Sequence, residues 1–435
     1  MFAFFGKIIK WLALLLVCSI ASFFLLNQFD QPLQTGAAAL LRPIPRQIPD
    51  QQNAYFTLIG LNAPSNINAA EWGMKLVQNQ VTETSPETDK VVCDFEKQHC
   101  LRLARQSPER LRAALAREQL LQSRYLAARQ YSGYAEVLET DVLPNFSAAF
   151  RAQALRHAQI ALWLETGQIA PLVAELQADM AFQRRGLRGA RSLIGKMVLL
   201  SALQRDYVLL ADLLRAHPER MTTQRAQVAA MLQPLAAEEQ DMLPVVRAEF
   251  RALAGMVSSL RHHSFPAELD VAPSWLGALK GYVFLPKATI NRLYGFEQTD
   301  ETLARVPAQQ FSATQQQMMA TQAGLVRRTW RDIYNPLGLD VIALARVDYQ
   351  HYLRRPLELN VFIRMLQLQQ QLVEQHVPEA NIAGFLAQST LRNPFDGEAI
   401  GWDARQRELF IELDRAAIQQ SRFGYSRGRI AVPLS

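Results

Sequence analysis

SPERLRAALAREQLLQSRYLAARQ, residues 107–130, reads as helix from its first three letters. Ser107 stands where a capping side chain is favoured, Pro108 suits the first helical position, and Glu109 places negative charge in the first turn. Leu111, Ala114, Leu115 and Leu121 then recur at helical spacing, which makes one face apolar. The same reading extends to residues 147–165, about 168–183, 187–204 and 205–216, with Gly167, Gly186 and Pro218 as punctuation. Short connections make consecutive helices antiparallel neighbours, so the expected fold is mainly α, a set of stacked helical hairpins. No shared signature recurs at a period of about 34–45 residues, so a true solenoid is unsupported.

Residues 261–300 break this pattern with Pro266, Pro273, Pro286 and several aromatics, and a subdomain boundary is placed near 270. Helices are expected again over 308–332, 338–353 and 356–376, the last starting at Pro356. The C-terminus changes character. Alternating runs at 398–402 and 408–413 flank the polar turn Asp403–Arg407, and 429–434 could add a strand. A small C-terminal antiparallel β cap within 393–435 is the expectation.

Toward the N-terminus, WLALLLVCSIASFFLL (11–26) is uninterrupted apolar sequence. Sixteen helical residues cover about 24 Å, and Ile8 and Ile9 extend them toward a bilayer core of about 30 Å. Lys7 and Lys10 precede the run and no basic residue follows until Arg42, which places the N-terminus in the cytoplasm and the rest outside. Three readings compete: a retained transmembrane helix, a cleaved signal peptide, and a lipidated Cys18. The small-residue cleavage sites are badly placed, Ser19–Ala21 inside the run and Ala37–Ala39 well beyond it. Val17 is bulky where a lipoprotein signal wants a small residue. The retained anchor is preferred, with the lipid bilayer as partner through residues 8–29. The expected divisions are an anchor (1–29), a spacer (30–50) made extended by Pro32, Pro43, Pro45 and Pro49, a helical domain (51–270) and a second subdomain (271–435).

Of 46 basic residues only 8 are Lys, leaving 38 Arg, within a formal charge of +6. Arg pairs bidentately with carboxylates and phosphates, so many of these side chains are expected to bridge helices or line anionic surfaces. A nucleic-acid partner would call for a dense basic block with interleaved aromatics, and the sequence has none. Cys93 and Cys100 flank DFEKQH and could close a small disulfide loop in an oxidising periplasm. Free thiols are the second reading. Zinc with His99 is the third and lacks a suitably spaced fourth ligand.

NAYFTLIGLNAP (53–64) and FLAQSTLRNPFDGEAIGWDARQRELFI (385–411) resemble a family of proteobacterial single-anchor envelope proteins that carries no assigned activity. FLPKATINRLY (284–294) and NPLGLDVIALARVDYQHY (335–352) fit the same resemblance. It implies an inner-membrane anchor and a large helical exterior domain, and says nothing of chemistry.

Motifs that could carry chemistry are few. Gly424-Tyr425-Ser426-Arg427-Gly428 matches the G-x-S-x-G elbow, but that elbow needs an acid and a His downstream, and neither follows. It is read as a glycine-framed turn into the last strand. His262 and His263 with Glu268 and Asp270 form the best metal candidate, although adjacent side chains in extended backbone point to opposite faces. Asp348 and His351 share a helix face and read as a local polar pair. Arg184, Arg185, Arg188 and Arg191 form a basic stripe if helix continues through Gly186 and Gly189, suited to phosphate or an acidic partner. No catalytic, metal or cofactor residues are assigned. The sequence therefore favours a membrane-tethered helical scaffold that docks other envelope proteins of a secretion, pilus or envelope-assembly system. The alternative is a periplasmic hydrolase assembling residues such as His157, Glu165, His262, His263 and Asp270.

Overall fold

Helix dominates the chain and a three-stranded antiparallel sheet closes it, as expected. The fold is that of a computed structural model, which describes residues 2–43, 45, 48–81, 93, 99–137, 144–260, 283–345, 349–413 and 429–434. Packing groups the chain into two units interleaved in sequence. One comprises Met1–Ile44, Val246–Val306 and Ser312–Gln350; the other comprises Pro45–Val245, Pro307–Phe311 and His351–Ser435. The boundary expected near 270 lies outside the described residues.

In the larger unit, apolar stripes become a continuous core. Helix Ser147–Glu165 has the bounds its periodicity predicts, and it packs beside Ile169–Gly189, which packs in turn on Leu193–Ala216. Leu155, Leu164, Leu172, Leu176, Leu203 and Tyr207 are all fully enclosed between them. Two expected breaks do not occur. Helix continues through Gly186, where a Cβ would lie 2.8 Å from the Leu199 side chain, so this glycine serves close packing rather than termination. Residues 193–216 form one helix because Leu203, Asp206, Tyr207 and Leu210 share a single buried stripe.

The opening stretch divides, conversely, at Glu118 into Pro108–Arg117 and Gln119–Gln130. Gln122 Nε2 donates to Leu115 O at 2.7 Å and so satisfies a carbonyl near the break. Ser107 occupies the cap position but its hydroxyl makes no capping bond. Pro356 falls inside helix Gln350–Glu374 rather than at its start. The burial of Leu353 before it and of Leu359, Phe362 and Ile363 after it outweighs the one N–H the ring removes.

Helices Ala54–Ile59 and Ala69–Val77 meet backbone to backbone. A Cβ on Gly73 would lie 1.9 Å from Phe56 O, and one on Gly60 1.9 Å from Ala69 O. Gly73→Val should therefore force the pair apart and lower stability by about 1–3 kcal/mol, read as a fall in urea midpoint. An unchanged midpoint would mean the helices do not approach this closely.

In the sheet, β1 (Gly401–Asp403) pairs with β2 (Glu408–Glu412) and β2 with β3 (Arg429–Pro433), Phe410 standing opposite both Gly401 and Ala431. Leu409, Ile411, Ile430 and Val432 face the core. On the other face Arg429 lies over the Phe410 ring at 4.9 Å and pairs with Glu408 at 2.6 Å.

The smaller unit contains the apolar helix Phe2–Leu26 and a core of Phe250, Val257, Phe284, Leu293, Phe296 and Ile342. Here the expected extended spacer is corrected, since residues 30–41 are built into the unit. Thr35–Leu40 is helical, Ala37 is fully buried, and Arg251 Nε donates to Leu40 O at 2.5 Å. The expected break over 261–300 is corrected at its end as well. Pro286 opens helix Pro286–Ala304, and Asp30 caps it from a distance, accepting from the N–H groups of Lys287 (2.7 Å) and Ala288 (2.9 Å). Leu285 has no side chain able to do so, which is why the local sequence conceals this helix start. The helix expected over 308–332 ends at Val326, and the one over 338–353 is Gly338–Ala345.

Candidate functional site

A buried cluster of titratable groups lies inside the larger unit, where helices Gln119–Gln130, Ser147–Glu165, Ile169–Gly189 and Leu193–Ala216 turn polar side chains inward. Asp206 Oδ1 lies 2.7 Å from His157 Nε2 and accepts from Gln153 Nε2 at 3.0 Å. Asp179 Oδ1 accepts the Tyr125 hydroxyl at 2.8 Å, and Gln183 Nε2 donates to that hydroxyl at 2.9 Å. Arg129 pairs with Glu175 and lies 3.7 Å from Asp179, while Arg156 Nε reaches Glu175 at 2.8 Å.

Burial sets the protonation states. It pushes His157 down to about 4, against the Asp179 charge, so the ring is neutral at pH 7. It raises Asp206 well above the usual carboxyl range, against the hydrogen bond from Gln153. Burial and the neighbouring Asp206 raise Asp179 to about 7, against Arg129. Burial would raise Glu175 too, but hydrogen bonds from Arg156 and Arg129 outweigh it and hold that carboxyl low. A His–Asp contact of this kind can move protons in an open site. Here His157 is 4% and Asp206 0% exposed, so no substrate reaches them in this conformation. What the arrangement does is fix the register of four helices through specific polar contacts between them.

A second buried group is Lys196, whose Nζ donates to Leu187 O at 2.7 Å and so serves the last turn of the preceding helix. Burial lowers it to about 8, against the charges of Asp241, Glu136 and Glu239. Nearby, Glu136 Oε2 accepts from the backbone of Arg191 (2.7 Å) and Ser192 (2.6 Å), holding the start of helix Leu193–Ala216.

An open cleft of about 330 Å³ lies between the end of helix Gln350–Glu374 and the sheet. Its walls include Arg215, Gln369, His376, Glu379, Trp402 and Arg407. Helix Gln350–Glu374 ends with His376 at φ +51° and with Val377 N donating back to Leu372 O at 3.1 Å. Arg407 Nη1 binds Glu379 at 2.6 Å along this wall.

The sequence-derived candidates are dispersed. His157 is in the sealed network, whereas Glu165 sits at the surface paired with Arg105 at 3.0 Å. His262, His263, Glu268, Asp270, Asp348 and the segment Gly424–Gly428 lie outside the described residues. His351 packs its ring 3.7 Å from Tyr352. Helix does run through Gly189, yet Arg184 forks onto Glu239 (2.7 Å) and onto Gln233 O and Pro234 O, and Arg185 donates to Arg129 O. Arg188 remains largely exposed, and Arg191 lies past the helix end. Cys93 and Cys100 are joined, with Cα atoms 4.9 Å apart, a separation suited to a disulfide. Sequence reasoning missed Asp179, Asp206 and Lys196. The signal that could have found them was a charged residue on an otherwise apolar face, as Asp206 is between Leu203 and Leu210.

No protein family, no curated protein and no solved structure matches this chain.

Proposed function

We propose that the protein is a membrane-tethered helical scaffold of the bacterial envelope, held in the inner membrane by residues 8–29 with its N-terminus cytoplasmic and its main mass periplasmic. Other envelope proteins are its partners, in keeping with the single-anchor family that its sequence resembles. The observation that carries the tether is the exit of the apolar helix. Residues Lys7–Leu26 have a mean hydropathy of 2.3 and none of that stretch is buried, while Asn27, the next residue, is 1% exposed. Asn27 donates to Ile333 O (3.0 Å) and accepts from Asn335 N (2.7 Å). Cleavage near Ala37–Ala39 would cut through a helix packed in the core, which favours retention. The periplasmic setting is supported by the Cys93–Cys100 pair and by Lys7 and Lys10 ahead of the span. The hydrolase alternative draws no support from the sealed His157–Asp206 contact.

The test is a reporter active only outside the cytoplasm, fused after Ser435, combined with carbonate washing. An active reporter on a full-length protein that resists washing is the expected result. A shortened, soluble mature form would sink the tether.

A further inference from the structure

Around the exit of the apolar helix, the smaller unit presents large apolar side chains to the outside. Phe29 is 72% exposed, Trp330 77% and Ile333 53%. They belong to two segments tied together, because the Tyr334 hydroxyl donates to Phe29 O at 2.9 Å and Asn27 bridges Phe23 O and Ile333 O at 2.9 and 3.0 Å. The turn carrying Trp330 is held rigidly. Asp332 accepts Arg292 Nη1 at 2.6 Å and the Thr329 hydroxyl at 3.1 Å, and Arg292 Nε also grips Leu325 O at 2.8 Å. Arg327 and Arg328 are exposed just before it, Arg328 paired with Asp340.

We infer that the Trp330–Ile333 turn, with Phe29, is a membrane-interface surface that seats in the lipid headgroup region on the domain's side of the bilayer. This rests on the tether proposed above and adds a second, non-spanning contact with the same membrane. Depth follows from geometry. A 20-residue span of helix covers about 30 Å, the thickness of a hydrocarbon core. Leu26 therefore ends at the boundary, and a carbonyl bonded to the Asn27 side chain lies at headgroup level. Trp is the residue most at home there, with an apolar body and a polar N–H. A flexible spacer would leave the smaller unit's orientation undefined; this clasp fixes which face of that unit meets the membrane.

The test uses full-length protein in vesicles of phosphatidylethanolamine and phosphatidylglycerol whose acyl chains carry bromine either nearest the headgroups or near the bilayer centre. Trp11 lies in the span and reports insertion of the anchor; Trp330 reports the turn. Each contribution is the emission lost in Trp11→Phe or Trp330→Phe, both at exposed positions. The expected result is that the Trp330 share falls about twofold with shallow bromines and much less with deep ones. A quenched Trp11 with a Trp330 share untouched by either lipid would overturn this inference and leave the anchor standing. If neither is quenched, the anchor reading fails and this inference fails with it.

Discussion

Arg129→Ala should lower the unfolding free energy by about 3–5 kcal/mol, the cost of removing one partner from a buried ionic set. The guanidinium is 7% exposed and faces Glu175 (12%) and Asp179 (2%), so at about pH 8, where Asp179 is ionised, its loss leaves carboxylates in a region water does not reach freely. Arg156 still holds Glu175 at 2.8 Å, which limits the damage on that side. Asp179 keeps only neutral donors, the Tyr125 hydroxyl at 2.8 Å and, at the outer limit, Gln153 Nε2 at 3.5 Å. Equilibrium urea unfolding of the intact protein in detergent reads the effect. A loss below about 1 kcal/mol, the value of an exposed pair, would show that water reaches this cluster.

That the pairings within the network are invisible in the sequence, while the helices around it are not, has a physical reason. Helix Ser147–Glu165 announces itself because Leu155, Ile160, Leu162 and Leu164 recur at short range, a signal confined to one segment. The β cap is equally local, with alternation at Leu409 and Ile411 answered by Ile430 and Val432. Asp206 and His157, by contrast, are 49 residues apart and meet only once two helices have packed. Asp30 caps a helix start 257 residues away, so neither segment alone reveals the bond. Glycine misleads for a related reason. Gly186 looks like a breaker in sequence, and only the approach of a neighbour shows that it is a place where a side chain will not fit. The arginine-rich composition does signal helix bridging at Arg184 and Arg156, each of which joins two helices through a carboxylate.

Asp179→Asn should change the pH dependence of stability strongly. Folded Asp179 titrates near 7 against 3.8 for an ordinary carboxyl, so between those values the folded state holds a proton that the unfolded chain has released. Its contribution is fully present below about 4 and is lost as pH rises through 7. His157 works in the opposite sense. Its folded value of about 4 lies below 6.5, so its contribution is present above 6.5 and is lost as pH falls toward 4. From about pH 4 to 6.5 the two slopes nearly cancel, and Asp206, also raised by burial, tilts the balance toward losing stability as pH rises. Asparagine keeps the shape of Asp179 and removes its titration. Relative to the unmodified protein, the variant should therefore gain on the order of 3–4 kcal/mol between pH 4 and pH 8, a tenfold change in proton affinity being worth about 1.4 kcal/mol. His157→Gln should do the reverse at the acid end, leaving a protein whose stability declines steadily from pH 4 to 7. Urea unfolding of the three proteins at pH 4, 5.5 and 8 decides the matter. A difference between Asp179→Asn and the unmodified protein that stays constant across that range would show that Asp179 is ionised throughout, with Arg129 rather than burial setting its charge.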